Sequence, residues 1–250
     1  VVSGRSSRSG GWSGWPLTIA LLVSLCFSLG CGSRESSRSD EPAGRVTTAE
    51  SGSRADAARA AAPKSARPKI VALGDSLTAG LGLDASAAYP ALLQNRLTAG
   101  GFDYEVINAG VSGDTSAGGL SRLDWALDGD VRVLIVALGG NDALRALPPE
   151  ELQQNLAAII EKAQARHITV ILAGMEAPPN FGHEYAVKFH RVYPELAGRY
   201  HVAFVPFLLE GVAGSETLNQ RDGIHPTEEG AKIVADNIWA VLKPIAAAHP

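Results

Sequence analysis

From Lys69 onward the sequence predicts an α/β fold built on a parallel sheet. Short, predominantly apolar runs recur, at Ile70–Leu73, Val131–Leu138 and Ile168–Ala173. Each is followed, after a turn, by a segment whose apolar residues are three and four apart, the spacing of one helix face. Strands alternating with helices imply crossover connections, and a strand buried on both faces reads as a continuous apolar run. The region is also large enough, at roughly 180 residues, to bury a core without covalent staples. It has none to use, because Cys26 and Cys31 both precede it.

The elements follow in order. Strand one is Ile70–Leu73, and Gly74-Asp75-Ser76 turns off its end. Ser86 is placed to cap a helix reaching Ala99, with Leu92, Leu93 and Leu97 on one face, Pro90 in its first turn and Gly100-Gly101 ending it. Strand two is Tyr104–Asn108, followed by the loop Ala109–Thr115 and a helix from Ser116 to Leu127. Strand three, Val131–Leu138, is almost wholly apolar and hence central, and the turn Gly139–Asp142 follows it. Pro148-Pro149-Glu150-Glu151 opens a helix whose buried stripe is Leu152, Leu156, Ile159 and Ile160. Strand four (Ile168–Ala173), a helix from Glu184 to Tyr200 and strand five (Ala203–Pro206) lead to a long loop, Phe207–Pro226. Thr227 then caps a last helix with Ile233, Val234, Ile238 and Val241 inward.

The chain before Lys69 is different in kind. Arg5 and Arg8 precede an apolar run from Pro16 to Gly30, shorter than the roughly 20 residues a spanning helix needs. Residues 1–31 are therefore expected to be an export signal. Gly30-Cys31-Gly32-Ser33 resembles a bacterial lipoprotein cleavage site with Cys31 lipidated; plain secretion and an uncleaved anchor are the alternatives. Residues 32–68, rich in Ser, Arg, Ala, Gly and Glu, are expected to form a disordered tether. Residues 1–68 hold 9 Lys and Arg against 5 Asp and Glu and the remainder 13 against 21, so the net −4 divides into +4 and −8. A domain at −8 with no basic stripe is unsuited to nucleic acid.

In a parallel sheet every carboxyl end points the same way, so the turns after the strands share one edge. That edge collects Ser76, the glycine-containing loop Gly110–Gly113, the turn Gly139-Gly140-Asn141-Asp142, and Asp222-Gly223-Ile224-His225-Pro226 before the last helix. Taken singly each has a bland reading: turn chemistry for Gly-Asp-Ser and Asn-Asp, an N-cap for Gly113-Asp114-Thr115, a mutual bond for Asp222 and His225. Taken together they are the parts of a serine hydrolase. Ser76 is a weak nucleophile until a base removes its proton, and an imidazole with an ordinary pKa of about 6.5 suits that task. Asp222, three residues before His225, can hold the ring in one tautomer. Backbone N–H groups of Ser76 and Gly113 and the amide of Asn141 can stabilise an oxyanion.

These four blocks, in this order, resemble those of the SGNH (GDSL) hydrolase superfamily, and most of all its bacterial acyl thioesterase, arylesterase and lysophospholipase group. The resemblance covers Lys69 to about Ile245. It implies a flavodoxin-like three-layer α/β/α sandwich with strand order 2-1-3-4-5, and the triad Ser76, Asp222 and His225. It also implies an oxyanion hole of Ser76, Gly113 and Asn141, no metal and no cofactor, and a small-molecule ester or thioester as partner, with the chain a monomer. The family's acyl pocket maps to Ala143–Pro148 and Glu176–Gly182, with Leu144, Pro179 and Phe181 as apolar wall and short to medium acyl chains as the expected cargo. The segment Gly211–Glu216 departs from the family pattern. The rival readings are a carbohydrate acetylesterase of the same superfamily, a flavodoxin-like module binding phosphate or flavin, and a metal site of Asp75, Asp142, Asp222 and His225.

Overall fold

A computed structural model describes residues 67–248 of the chain. The expected export signal with Cys31, and nearly all of the expected tether, lie outside the described residues. Five strands, β1 (Lys69–Gly74), β2 (Glu105–Gly110), β3 (Val131–Ala137), β4 (Thr169–Ala173) and β5 (Ala203–Val205), form one parallel sheet in the order β2-β1-β3-β4-β5. The central strand is β3, in keeping with its almost wholly apolar run, which only the exposed Arg132 interrupts. Ile70 through Leu73 of β1 and Leu134 through Val136 of β3 are fully buried, whereas β2, at an edge, is mostly half-buried.

The helices are α1 (Ser76–Ala79), α2 (Tyr89–Ala99), α3 (Ser116–Ser121), α4 (Leu123–Ala126), α5 (Gly140–Leu144), α6 (Pro149–Ala165), α7 (His183–Tyr200) and α8 (Glu228–Ala248). The connection from β1 steps to one side of the sheet and all later ones to the other. Right-handed crossovers therefore put α2 on the face opposite α3, α6 and α7. The last helix, α8, packs beside α2, while α6 packs between α3 and α7. This order reverses direction between β1 and β3, which opens a crevice at their carboxyl ends.

Three elements differ from expectation. The second helix starts at Tyr89, not Ser86, because Asp84–Ala87 close their own turn (Ala87 N–H to Asp84 C=O, 2.9 Å) and Pro90 takes the first helical turn. The single helix expected over 116–127 is two, broken at Arg122, whose guanidinium is drawn under the site instead. The turn after β3 is one turn of helix, α5. Pro194, by contrast, lies inside α7 without ending it. A proline there costs about 3 kcal/mol, but burying Phe189, Val192, Tyr193 and Leu196 returns about 1.5–3 kcal/mol for each side chain, so packing wins.

Candidate active site

Ser76 is placed by its neighbours. Asp75 caps α1 by accepting Leu77 N–H at 3.0 Å, which lifts Ser76 to the first helical position off the end of β1. Gly74 has to be glycine, since a Cβ there would lie 1.9 Å from Thr78 Oγ1. Beneath the turn, Arg122 donates to Asp114 Oδ2 (2.6 Å), Ala109 C=O (2.7 Å) and Gly74 C=O (2.9 Å), joining the ends of β1 and β2. Nothing in the spacing of Arg122 announced this; it is visible only once the two strands are side by side.

His225 arrives from the opposite end of the domain. Asp222 Oδ1 accepts the N–H groups of Ile224 and His225, each at 3.0 Å, while its Oδ2 meets His225 Nδ1 at 2.7 Å. Those two backbone donors, with the ring, hold the Asp222 carboxyl down at about 2. A carboxylate on Nδ1 keeps the proton on that nitrogen, which leaves Nε2 as an acceptor. Nε2 lies 2.8 Å from Ser76 Oγ, across 149 residues of sequence.

The residues expected to supply donors to an oxyanion share one cavity with this pair. Gly113 (φ 86°) and Asn141 line one cavity with Ser76 and His225. Asn141 Nδ2 donates one hydrogen to Asp75 Oδ2 at 3.3 Å, leaving the other for a ligand. Two further contacts hold these loops. Arg145 donates to Gly113 C=O (2.8 Å), and the buried Asp142 accepts Ser116 N–H (2.8 Å) and Ser116 Oγ–H (2.6 Å). Asp142 therefore ties α5 to α3 and is not free to join Asp75, Asp222 and His225. Among the described residues no three His, Cys, Asp or Glu side chains gather as a metal cluster.

The cavity measures about 530 Å³. Its wall is largely apolar, with Leu77, Leu81, Leu144, Met175, Phe207 and Leu209 among its residues. Leu144 stands where the sequence puts it. Phe181 does not: its ring packs on Tyr185 (centroids 5.8 Å apart), and Ala177 and Pro178 line the cavity on that side. The cause is a 3-10 turn, Pro179–Phe181, which leads into α7 and starts a ladder of Phe181, Tyr185, Phe189 and Tyr193. Tyr185, Phe189 and Tyr193 are four apart on one face of α7, so that part of the ladder follows from the spacing, whereas Phe181 precedes the helix.

Asp75 is the electrostatic anomaly. Burial pushes its carboxyl up to about 6, against the lowering influence of Leu77 N–H, the Asn141 amide and His225. A raised carboxyl favours the fold while protonated: that stability is complete below the unfolded value near 3.8 and is lost as pH rises through about 6. The loss is on the order of 3 kcal/mol. In urea titrations, wild type is expected to lose about that much relative to Asp75→Asn between about pH 4 and pH 7. Parallel curves for the two proteins would show that Asp75 ionises without strain.

Residues 72–233 match the GDSL-like lipase/acylhydrolase family. The chain belongs to that family. Over 183 residues it is 47% identical to the esterase TesA of Pseudomonas aeruginosa, covering 73% of this chain and 91% of that one. Over 177 residues it is 38% identical to thioesterase 1/protease 1/lysophospholipase L1 of Escherichia coli strain K12, covering 70% and 84%. The solved structure of AlinE4, an SGNH-hydrolase family esterase, superposes with a TM-score of 0.61 at 45% identity, over 74% of this chain and 97% of that one. As a member of this family, the chain is a serine hydrolase of the carboxylic ester and thioester type, acting on small-molecule substrates.

Proposed function

We propose that Ser76, His225 and Asp222 hydrolyse acyl esters and thioesters of short to medium chain through an acyl-enzyme on Ser76. The observation that supports this best is the unbroken relay Ser76 Oγ–His225 Nε2 (2.8 Å) and His225 Nδ1–Asp222 Oδ2 (2.7 Å). Ser76 Oγ attacks the acyl carbonyl as His225 takes its proton. The N–H groups of Ser76 and Gly113 and the free hydrogen of Asn141 Nδ2 meet the developing oxyanion. His225 then gives the proton to the departing alkoxide or thiolate, and water repeats the sequence to release the acid. The ionised Asp222 stabilises the imidazolium at each stage.

Apolar wall on a cavity of about 530 Å³ favours an acyl chain over a sugar. Across nitrophenyl esters, kcat/KM is expected to rise from acetyl to chains of about six to ten carbons, each buried methylene being worth up to about 0.8 kcal/mol. A maximum at acetyl would favour the carbohydrate acetylesterase reading instead. Export is part of the same proposal, supported by Arg5 and Arg8 ahead of the apolar run 16–30. Labelled palmitate incorporated by wild type and not by Cys31→Ser is the expected sign of a lipid on Cys31.

A further inference from the structure

The Ser76–His225 bond joins two segments that share no strand, and a 2.8 Å separation has to be maintained by something other than itself. The segment bearing His225 folds back on itself as a short hairpin. Asn219 and Pro226 form an antiparallel bridge, Gln220 N–H donates to His225 C=O at 2.7 Å, and Thr227 N–H to Leu218 C=O at 2.8 Å. Within that hairpin, one side chain reaches out. Gln220 Nε2 donates to Pro226 C=O at 2.9 Å and to Leu81 C=O at 2.7 Å, using both amide hydrogens. Leu81 N–H in turn donates to Ser76 C=O at 3.0 Å.

A route of hydrogen bonds therefore runs from the backbone of His225, through the backbone and side chain of Gln220, across the Leu81 residue from its C=O to its N–H, to the backbone of Ser76. Among the described residues, no other hydrogen bond apart from Ser76–His225 itself connects residues 75–83 with residues 207–227. The chain makes room for this crossing. Gly82 has φ 78°, and a Cβ on it would lie 2.2 Å from Gln220 Oε1, so the amide passes where any side chain at 82 would stand.

We propose that Gln220 is a positioning residue: its amide latches the histidine loop to the serine segment and sets the distance between base and nucleophile. Misplacing a reacting group by about 1 Å can cost about 100-fold in rate, and the latch acts on that distance through the Leu81 backbone, Gln220 itself not lining the acyl cavity. The proposal rests on Ser76 and His225 being nucleophile and base.

The test is the rate of Ser76 acylation by an alkyl fluorophosphonate, together with kcat and KM on a nitrophenyl ester. It uses wild type, Gln220→Leu, Gly82→Ala and the double variant, each well below its own melting temperature. Gln220→Leu is expected to lower acylation and kcat together by about 10- to 100-fold with KM within about twofold, since Gln220 does not line the cavity and every cavity side chain is retained. Gly82→Ala, which displaces the amide while keeping it, is expected to fall by a similar factor. The double variant should be no worse than the poorer single one, because both changes break one contact. Wild-type acylation and kcat in Gln220→Leu would overturn the latch, as would fully multiplicative losses in the double variant. If Gln220→Leu does not fold, an undiminished rate in Gly82→Ala overturns it equally. Failure of wild type itself to be labelled at Ser76 would instead reject the nucleophile assignment.

Discussion

Ser76→Ala is expected to lower kcat on a nitrophenyl ester by about 10⁶-fold and to abolish labelling by an alkyl fluorophosphonate. The size follows from the loss of a covalent route: without Oγ, His225 has no proton to take and no acyl-enzyme can form. In a well-studied serine protease, removing the nucleophile costs about 2 × 10⁶ in kcat and leaves only what the oxyanion donors and binding supply. Here Gly113, Asn141 and the cavity are unchanged by the substitution, so KM should stay close to the wild-type value. The variant should also fold normally, because Ser76 is half-buried and, among the described residues, its side chain bonds only to His225. Labelling that persists in Ser76→Ala would place the nucleophile elsewhere.

Asp222→Asn is expected to reduce kcat by about 10⁴-fold. Asparagine can keep an oxygen toward the N–H groups of Ile224 and His225, each 3.0 Å from Asp222 Oδ1, so the loop should retain its shape. What it cannot do is accept from Nδ1 with the other atom, now an NH₂ group. The ring then favours the tautomer with its proton on Nε2, facing Ser76, where it cannot act as a base. Because the Asp222 carboxyl titrates near 2, wild-type activity should show no loss attributable to it at any pH above about 4. Kinetics of the variant from about pH 5 to pH 9 check this, and a loss under tenfold would mean that Asp222 is structural.

Much of this was legible in the sequence because strand periodicity and turn chemistry are local. Four apolar residues and a Gly-Asp-Ser turn place Ser76 at a strand end, and the common direction of parallel strands brings Gly113, Asn141 and His225 to the same edge. The failures are equally physical. Ser86 has the chemistry of a cap, but a turn from Asp84 competes with it and Pro90 decides the first helical turn. Phe181 has the chemistry of a pocket wall, but the ring of Tyr185, in the first turn of α7, captures it. Arg122 and Gln220 were invisible for another reason. Both partners of Gln220, and two of the three that Arg122 holds, are backbone carbonyls, which every residue owns, so no pattern of side chains marks the place where they bind.

Arg122 also bears on how such an enzyme can change. One guanidinium serves acceptors at Gly74, Ala109 and Asp114, and lysine, with a single ammonium, could not reproduce that fork. The chemical centre therefore rests on a chassis that tolerates little exchange, whereas Leu81, Leu144 and Ile224 project from its margin with nearly half their surface in water. Drift at the margin can retune which acyl chain is taken without disturbing bond cleavage. A lineage built on this frame is thus free to diversify its diet while its reaction stays constant.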